Sequence, residues 1–514
     1  MGGSKEELIQ ARDTVIYLLQ HLGFVLNQKK CVLSPTQEIT FLGLIVNSQE
    51  LTLSLTSEKV EKTLEHNCRK HLREKETTDL DLTKIIGLLS SAAQAVMPAR
   101  LQFRFLQNQL IQSMKGRSSF QTKIILSKEA LGELEWWVNN LLFYNGRQVI
   151  QRRSQVLVQT YASKKGWGAS CQGIRTGGPW SSQEESLHIN HQELIAINYG
   201  IKAIHRVKGS LAYHIQVDNT TALAYLVKMG GSKSLEMTKV SKEIWSYLLQ
   251  EGITITAEYL PGILNRLADW ESRNTRDPSE WKLCPKIFQR LCHIIGTPWI
   301  DLFASLLSHQ VKRYFAWKPD PYCLAVDALQ QPWPGQRLLY AFPPFVLINR
   351  ILMKIRQERI DRIILIAPGW QAQTLISMSC QEPILLPVVK NLLRSPLGQN
   401  HPLVLNQSLR LAAWIISGRT YKKRAFQNRL QSLSYHPKDQ VQIQITNRPG
   451  RSGLAGVINN KLIHLTWIIN YLADLFKEGH IYSYVCFHRS AISAFHDKID
   501  GKRVAEIADL WKQT

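Results

Sequence analysis

Paired cysteines are what this chain most plainly lacks. Its eight cysteines lie apart, at 31, 68, 171, 284, 292, 323, 380 and 486, and no two make a CxxC pair. The segment "CPKIFQRLCH" (284–293) brings two cysteines and a histidine together, but without the short paired spacing of a zinc site. That pattern excludes a disulfide framework and points to buried thiols in a reducing setting. Long apolar runs are missing too. None reaches the roughly 18 residues that a membrane span needs, and the start, "MGGSKEELIQ", has no signal-peptide core. Glu6 stands where a myristoylation signal has Ser or Thr. We therefore expect no membrane association and an intracellular protein of the cytoplasm, the nucleus or both. No repeat recurs at a period of about 20–50 residues, which argues against a solenoid or propeller.

Acidic residues are scarce. Lys and Arg number 63 against 40 Asp and Glu, a net charge of +23. The 514 residues are 44% hydrophobic and 20% charged, a globular composition. A globular protein this basic is expected to meet a polyanion, most often nucleic acid. Its length implies three or four domains.

Local patterns divide the chain. "EELIQARDTVIYLLQHLGF" (6–24) has apolar residues at helical spacing and ends at glycine. "KKCVLSPTQEITFLGLIVNS" (29–48) alternates like a hairpin, with a turn expected near Ser34-Pro35. Residues 57–116 are helix-rich and interrupted by Pro98, and "SKEALGELEWWVNNL" (127–141) is a further helix. From 155 the order becomes strand, strand, strand, helix, strand, helix, which predicts a mixed sheet flanked by helices. "RLLYAFPPF" and "DRIILIAPGW" predict two buried strands of another α/β segment. Residues 391–424 are polar and basic and are expected to be a linker.

Within 156–276, Glu193 lies on a helix, Asp218 ends a strand, and Asp269 follows the last strand and loop. In a sheet of that order the three can converge on one edge. Hard carboxylate oxygens in such a cluster hold Mg²⁺ or Mn²⁺ ions, which activate a water and stabilise a leaving oxygen during phosphodiester hydrolysis. An isolated carboxylate is usually solvated surface, so the order of all three carries the expectation.

"YASKKGWGA", "HINHQELIAINYGIKAI", "VDNTTALAYL" and "LPGILNRLADWESR" resemble the ribonuclease H domain of retroelement reverse transcriptases, in particular those of DIRS-type elements, which mobilise with a tyrosine recombinase. Upstream, residues 1–56 resemble the end of a polymerase palm, 57–120 a helical thumb and 121–155 a connection. Downstream, residues 298–390 resemble an adenine-methyltransferase-like segment. "INYLADLFKEGHIYSYVCFHRSAISAFHDKIDGKRV" is similar to the helical core-binding domain of the recombinases, expected over 425–514 and truncated. The resemblance implies a multidomain α/β and α protein from a family that performs reverse transcription, RNA removal, and DNA integration and recombination, with RNA–DNA hybrid and duplex DNA as partners.

The departures from the family are as informative. The polymerase's paired aspartates would precede residue 1, and the recombinase's catalytic residues would follow Thr514, so neither activity is expected. The family's first metal-binding aspartate is replaced by Tyr161, a neutral phenol at pH 7. The remaining catalytic and metal set is Glu193, Asp218 and Asp269. In the methyltransferase-like segment, Phe342 precedes Pro343, Pro344 and Phe345, where the family has Asn or Asp to hold the target amine. A phenyl ring accepts no such hydrogen bond, so methylation is not expected.

Nucleic-acid contacts need no metal. Lys164, Lys165, Trp167 and Asn219 are candidates in the ribonuclease-like part; by the same resemblance Arg489 and Ser490 are phosphate-contact candidates in the tail. Trp180 is a second stacking candidate, and Arg100 and Arg104, one helical turn apart, are candidates to line a template groove. Each has a plainer reading as core aromatic or solvated charge. Three functions stay open: a nucleic-acid-binding polyprotein fragment with lost or weak ribonuclease activity, an active metal-dependent hybrid ribonuclease, and a non-catalytic DNA-binding scaffold.

Overall fold

The structure, a computed structural model, describes residues 4–434 apart from 28, 30, 116–122, 151, 153, 155, 276–279, 370–372, 397 and 406–408. Arg489, Ser490 and nearly all of the recombinase-like segment lie outside the described residues. No helix among those described is long and apolar enough to cross a membrane. The chain forms two compact units, Met1–Ile201 with Lys208–Asn274, and Lys202–Val207 with Thr275–Thr514.

The first unit opens with the helix Lys5–His21, closed at its start by a Ser4–Glu7 capping box. The hairpin that follows pairs Glu38–Phe41 with Leu44–Asn47, so its turn falls at Leu42–Gly43 and not at Ser34-Pro35. Both turn residues have positive φ, 51° and 73°. A glycine there adopts the left-handed conformation at little cost, and that outweighs the proline signal upstream. Pro98 separates the helices Asp79–Ala92 and Arg104–Met114 as expected. With Lys128–Tyr144 they enclose a core that includes Leu82, Ile85, Leu89, Leu106, Leu134 and Trp137.

The expected mixed sheet is present. Its strands are β1 (Val156–Ala162), β2 (Gly166–Cys171), β3 (Ile174–Pro179), β4 (Ala212–Val217) and β5 (Thr254–Tyr259), in the spatial order β5-β4-β1-β2-β3. The first three form an antiparallel meander, and β4 and β5 run parallel to β1. The helices are α1 (Ile189–Lys208), α2 (Thr220–Val227), α3 (Leu235–Gln250) and α4 (Arg266–Arg273).

Glycines set how closely two of these helices approach the sheet. A Cβ on Gly168 of β2 would lie 2.1 Å from the Ala268 carbonyl oxygen and 2.6 Å from the Ser272 nitrogen, both in α4. A Cβ on Gly200 of α1 would meet the Thr160 methyl at 2.7 Å. Thr160 neighbours Tyr161, the residue paired with Gly168, so alternation puts α1 and α4 on opposite faces. Gly168→Ala is expected to destabilise the chain by about 2–3 kcal/mol, because backbone must move to admit the methyl. Thermal unfolding of that variant beside Gly173→Ala, which lies in open space at positive φ, separates close packing from backbone conformation. Equal losses would refute the packing account.

The helices of 57–144 and this sheet lie in the same compact unit. Lys242 of α3 reaches the buried Glu133 at 3.0 Å, and Asn108 donates to the Ser232 carbonyl at 2.8 Å. Arg104 donates to the Met229 carbonyl at 3.3 Å and to that of Lys228 at the end of α2. A template groove is therefore not its role: the guanidinium satisfies helix-terminal carbonyls.

In the second unit β6 (Ile300–Asp301), β7 (Leu338–Ala341) and β8 (Arg362–Pro368) are parallel, and β10 (Leu411–Ile416) runs antiparallel between β8 and β9 (Ile384–Leu385). Residues 391–424 are accordingly not a linker. The apolar run "LAAWII" is wholly buried as β10, because six consecutive apolar side chains suit a strand covered on both faces. The helices Pro285–Ile295 and Ile348–Gln357 pack into two separate cores that share the residues of this sheet. Phe342 and Phe345 are half-buried against the first of those helices' core, and Pro344 precedes a short 3₁₀ turn.

Candidate functional site

Tyr161 sits near the end of β1, opposite Gly168. Asp218 directly follows β4, the strand parallel to β1 on its other side. Together with Glu193, Lys164, Lys165, Asn219 and Arg273 they border an open cleft of about 580 Å³. Local structure brings each of them there. The tight β1–β2 hairpin carries the exposed Lys164 and Lys165 at its tip. Ser163 ties that hairpin to α4 by donating to the Ser272 carbonyl at 2.8 Å. Asn265, fully buried, donates to the Thr160 carbonyl at 2.8 Å and anchors the loop that leads into α4. Gly262 lets that loop pass Asp218, where a Cβ would lie 2.9 Å from Oδ2.

Two carboxylates in this cleft have buried oxygens without a partner, Oε2 of Glu193 and Oδ1 of Asp218. Burial, reinforced by Asp218, pushes the Glu193 carboxyl up to about 8, even though the Ala162 backbone N–H donates to it. Burial and then Asp269 raise Asp218. Burial also raises the Tyr161 phenol, with Asp218 and Asp269 adding to the effect.

Asp269, near enough to act on both groups, is itself paired. Its Oδ1 accepts from Arg273 Nε at 2.6 Å, one helical turn on. It borders a neighbouring cleft of about 420 Å³ with Gly262, Arg266 and Trp270, and Arg273 lines both clefts. The guanidinium carbon also lies 5.9 Å from the centre of the Tyr161 ring, a cation–π distance. No group of three or more His, Cys, Asp or Glu is arranged to hold a metal ion among the described residues. Arg273 holds Asp269 in an ion pair, while Glu193 and Asp218 face the same cleft. The orphaned oxygens of Glu193 and Asp218 fit a single hard cation such as Mg²⁺, which would polarise a bound phosphate oxygen.

The expectation for Trp167 is corrected. It is 2% exposed and packs edge-on to Tyr199 at 5.5 Å, so it is unavailable for stacking on bases. Trp180 is buried too, donating to the Ser163 carbonyl at 2.7 Å. Asn219 caps α2 through Oδ1 and donates to Asn190 through its amide nitrogen. It lines the cleft but its side chain is occupied. Arg273, Asn265 and Ser163 were not foreseen. The i, i+4 spacing of Asp269 and Arg273 within "ADWESR" was the available signal for the first.

The Glu193 carboxyl makes stability depend on pH. Its folded pKa, about 8, exceeds the ordinary 4.5, so the folded chain holds a proton that the unfolded chain releases. Its contribution is complete below about 4.5 and is lost as pH rises toward 8. In EDTA, Glu193→Gln is expected to melt higher than the wild type at pH 8 and equally at pH 4.5. A variant with the wild-type slope would contradict this origin.

No protein-family model matches the chain, and no curated protein matches it. Among solved structures, the foamy viral protease–reverse transcriptase dRH in complex with double-stranded DNA aligns with 50% of this chain and 44% of its own at 18% identity and a TM-score of 0.26. The foamy viral protease–reverse transcriptase in complex with an RNA/DNA hybrid aligns with 50% and 34%, at 18% and 0.25. RNase H1 from the archaeon Halobacterium salinarum aligns with 23% of this chain and 96% of its own, at 13% and 0.20. This chain spans less than half the length of the first two.

Proposed function

We propose that the chain is part of a DIRS-type retroelement polyprotein that binds nucleic acid through a ribonuclease H-like domain whose metal-dependent cleavage is lost or weak. The observation that carries this reading is the fate of the carboxylates. The mixed sheet brings Glu193 and Asp218 to one cleft, while Tyr161 and Arg273 occupy the side from which two further carboxylates would act. Lys164 and Lys165 remain exposed at its rim for phosphate contacts. In the second unit, an apolar strand end at Phe342-Pro343-Pro344-Phe345 supports binding or scaffolding in place of methyl transfer. The intracellular compartment and the recombinase-like tail belong to the same reading.

The test is binding with and without metal. The wild-type chain should bind an RNA–DNA hybrid equally in EDTA and in Mg²⁺, more weakly as salt rises, and leave it uncut. Lys164→Ala/Lys165→Ala should flatten the salt dependence by about 1.8 in log–log slope, two phosphate contacts' worth on a duplex. Tight Mg²⁺ binding abolished by Asp218→Asn, with cleavage, would instead favour an active ribonuclease.

A further inference from the structure

The second unit carries a basic, aromatic cleft that its methyltransferase-like segment does not account for. Three chain segments lie side by side at the amino ends of the parallel strands. The Asp301 N–H donates to the Arg313 carbonyl, and the Trp299 N–H donates to the Leu338 carbonyl. Arg313, Trp299 and Arg337 thus mark three adjacent strand starts, with neighbouring strands about 4.8 Å apart. Together with Lys312 they border an open cleft of about 670 Å³. Lys312, Arg313 and Arg337 are exposed, Trp299 is half-buried, and the Arg313 guanidinium lies 4.9 Å from the Trp299 ring centre. Among the described residues none of the three cations forms an ion pair with a carboxylate.

We infer that this cleft is a binding site for a single nucleic-acid strand, with Lys312, Arg313 and Arg337 on phosphates and the Arg313–Trp299 pair as a stacking platform for a base. Unpaired arginines retain their full attraction for an anion, and a guanidinium laid against an indole offers a flat face to any base. The volume suits a nucleotide-sized group. The site is distinct from the carboxyl ends of β6, β7 and β8, where open α/β sheets ordinarily bind ligands. It is also independent of the Lys164–Lys165 hairpin, which belongs to the other unit. An acidic peptide would satisfy the charges but gain little from the indole.

The probe is a labelled oligothymidine of about 20 nucleotides, titrated into the full chain by fluorescence anisotropy. Arg313→Ala/Arg337→Ala is expected to raise Kd at least about tenfold and to reduce the log–log salt slope by about 1.4, two single-strand phosphate contacts. Trp299→Ala should raise Kd at least about fivefold, with Trp299→Phe recovering most of the loss. Both arginines are exposed, so an unchanged melting temperature certifies the double variant as folded. Unchanged affinity and slope in the arginine variant would overturn the inference, and if Lys164→Ala/Lys165→Ala then abolished binding, the hairpin reading would stand alone. Loss confined to the arginine variant would support the cleft and count against the hairpin. Displacement of the oligonucleotide by polyglutamate at equal charge concentration would overturn the inference in favour of an acidic-peptide surface.

Discussion

Tyr161→Asp combined with Arg273→Ala is expected to raise Mg²⁺- or Mn²⁺-dependent cleavage of an RNA–DNA hybrid by at least about 100-fold over the wild type, equivalent to about 2.7 kcal/mol of barrier. The gain has three sources. Aspartate at 161 places a charged oxygen donor on the strand beside Asp218, where the phenol contributes none at neutral pH. Loss of Arg273 frees Asp269 from a 2.6 Å hydrogen bond. It also removes a positive charge from the wall of the cleft that holds Glu193 and Asp218. Metal then draws the raised pKa values of both acids down again, because carboxylates bind hard cations in their ionised form. Tyr161→Asp alone should give a smaller increase, since Arg273 still holds Asp269. A single-turnover assay on a defined hybrid reads all three proteins. A fully active wild type that neither variant improves would sink the proposed loss of cleavage.

Glu133→Ala should be the most damaging substitution outside the cleft, costing about 3–5 kcal/mol. Glu133 is 1% exposed, and its carboxylate accepts from the backbone N–H groups of Phe105 and Leu106 at the start of the helix Arg104–Met114. Lys242 of α3 donates to it at 3.0 Å. Burial raises this carboxyl, while Lys242 and the two amides oppose the shift. Truncation would leave two helix-terminal donors and a three-quarters-buried ammonium uncompensated. Glu133→Gln keeps an acceptor and should lose less. Urea unfolding of Glu133→Ala, Lys242→Met and the double variant checks the account. The double variant should be less destabilised than the sum of the singles, by about 1 kcal/mol or more. Simple additivity would mean that Glu133 and Lys242 do not act as a pair.

Much of the first unit was legible before its structure. The switch from helical to alternating spacing near 155 located the sheet, and the acids at 193, 218 and 269 were ordered as a converging edge requires. Two of the three reached the cleft. The third, Asp269, borders the neighbouring cleft and pairs with Arg273 within a single helical turn. The polar composition of 391–424 concealed "LAAWII", since averaging over a long window hides six residues whose burial depends on strands elsewhere in the sequence.

The order of elements from 155 to 273 was legible in the sequence, since it rests on local periodicity, and so was the break at Pro98. So was the surplus of cations. Only the tertiary structure decided which way each chemically capable side chain turned. It sent Trp167 and Trp180 inward, committed Arg104 to helix-end carbonyls and laid Arg273 against Tyr161. It also set Arg313, Trp299 and Arg337 in a row. The physical reason is that these outcomes are pairings between residues remote in sequence, fixed by strand register and helix packing, which no local pattern encodes.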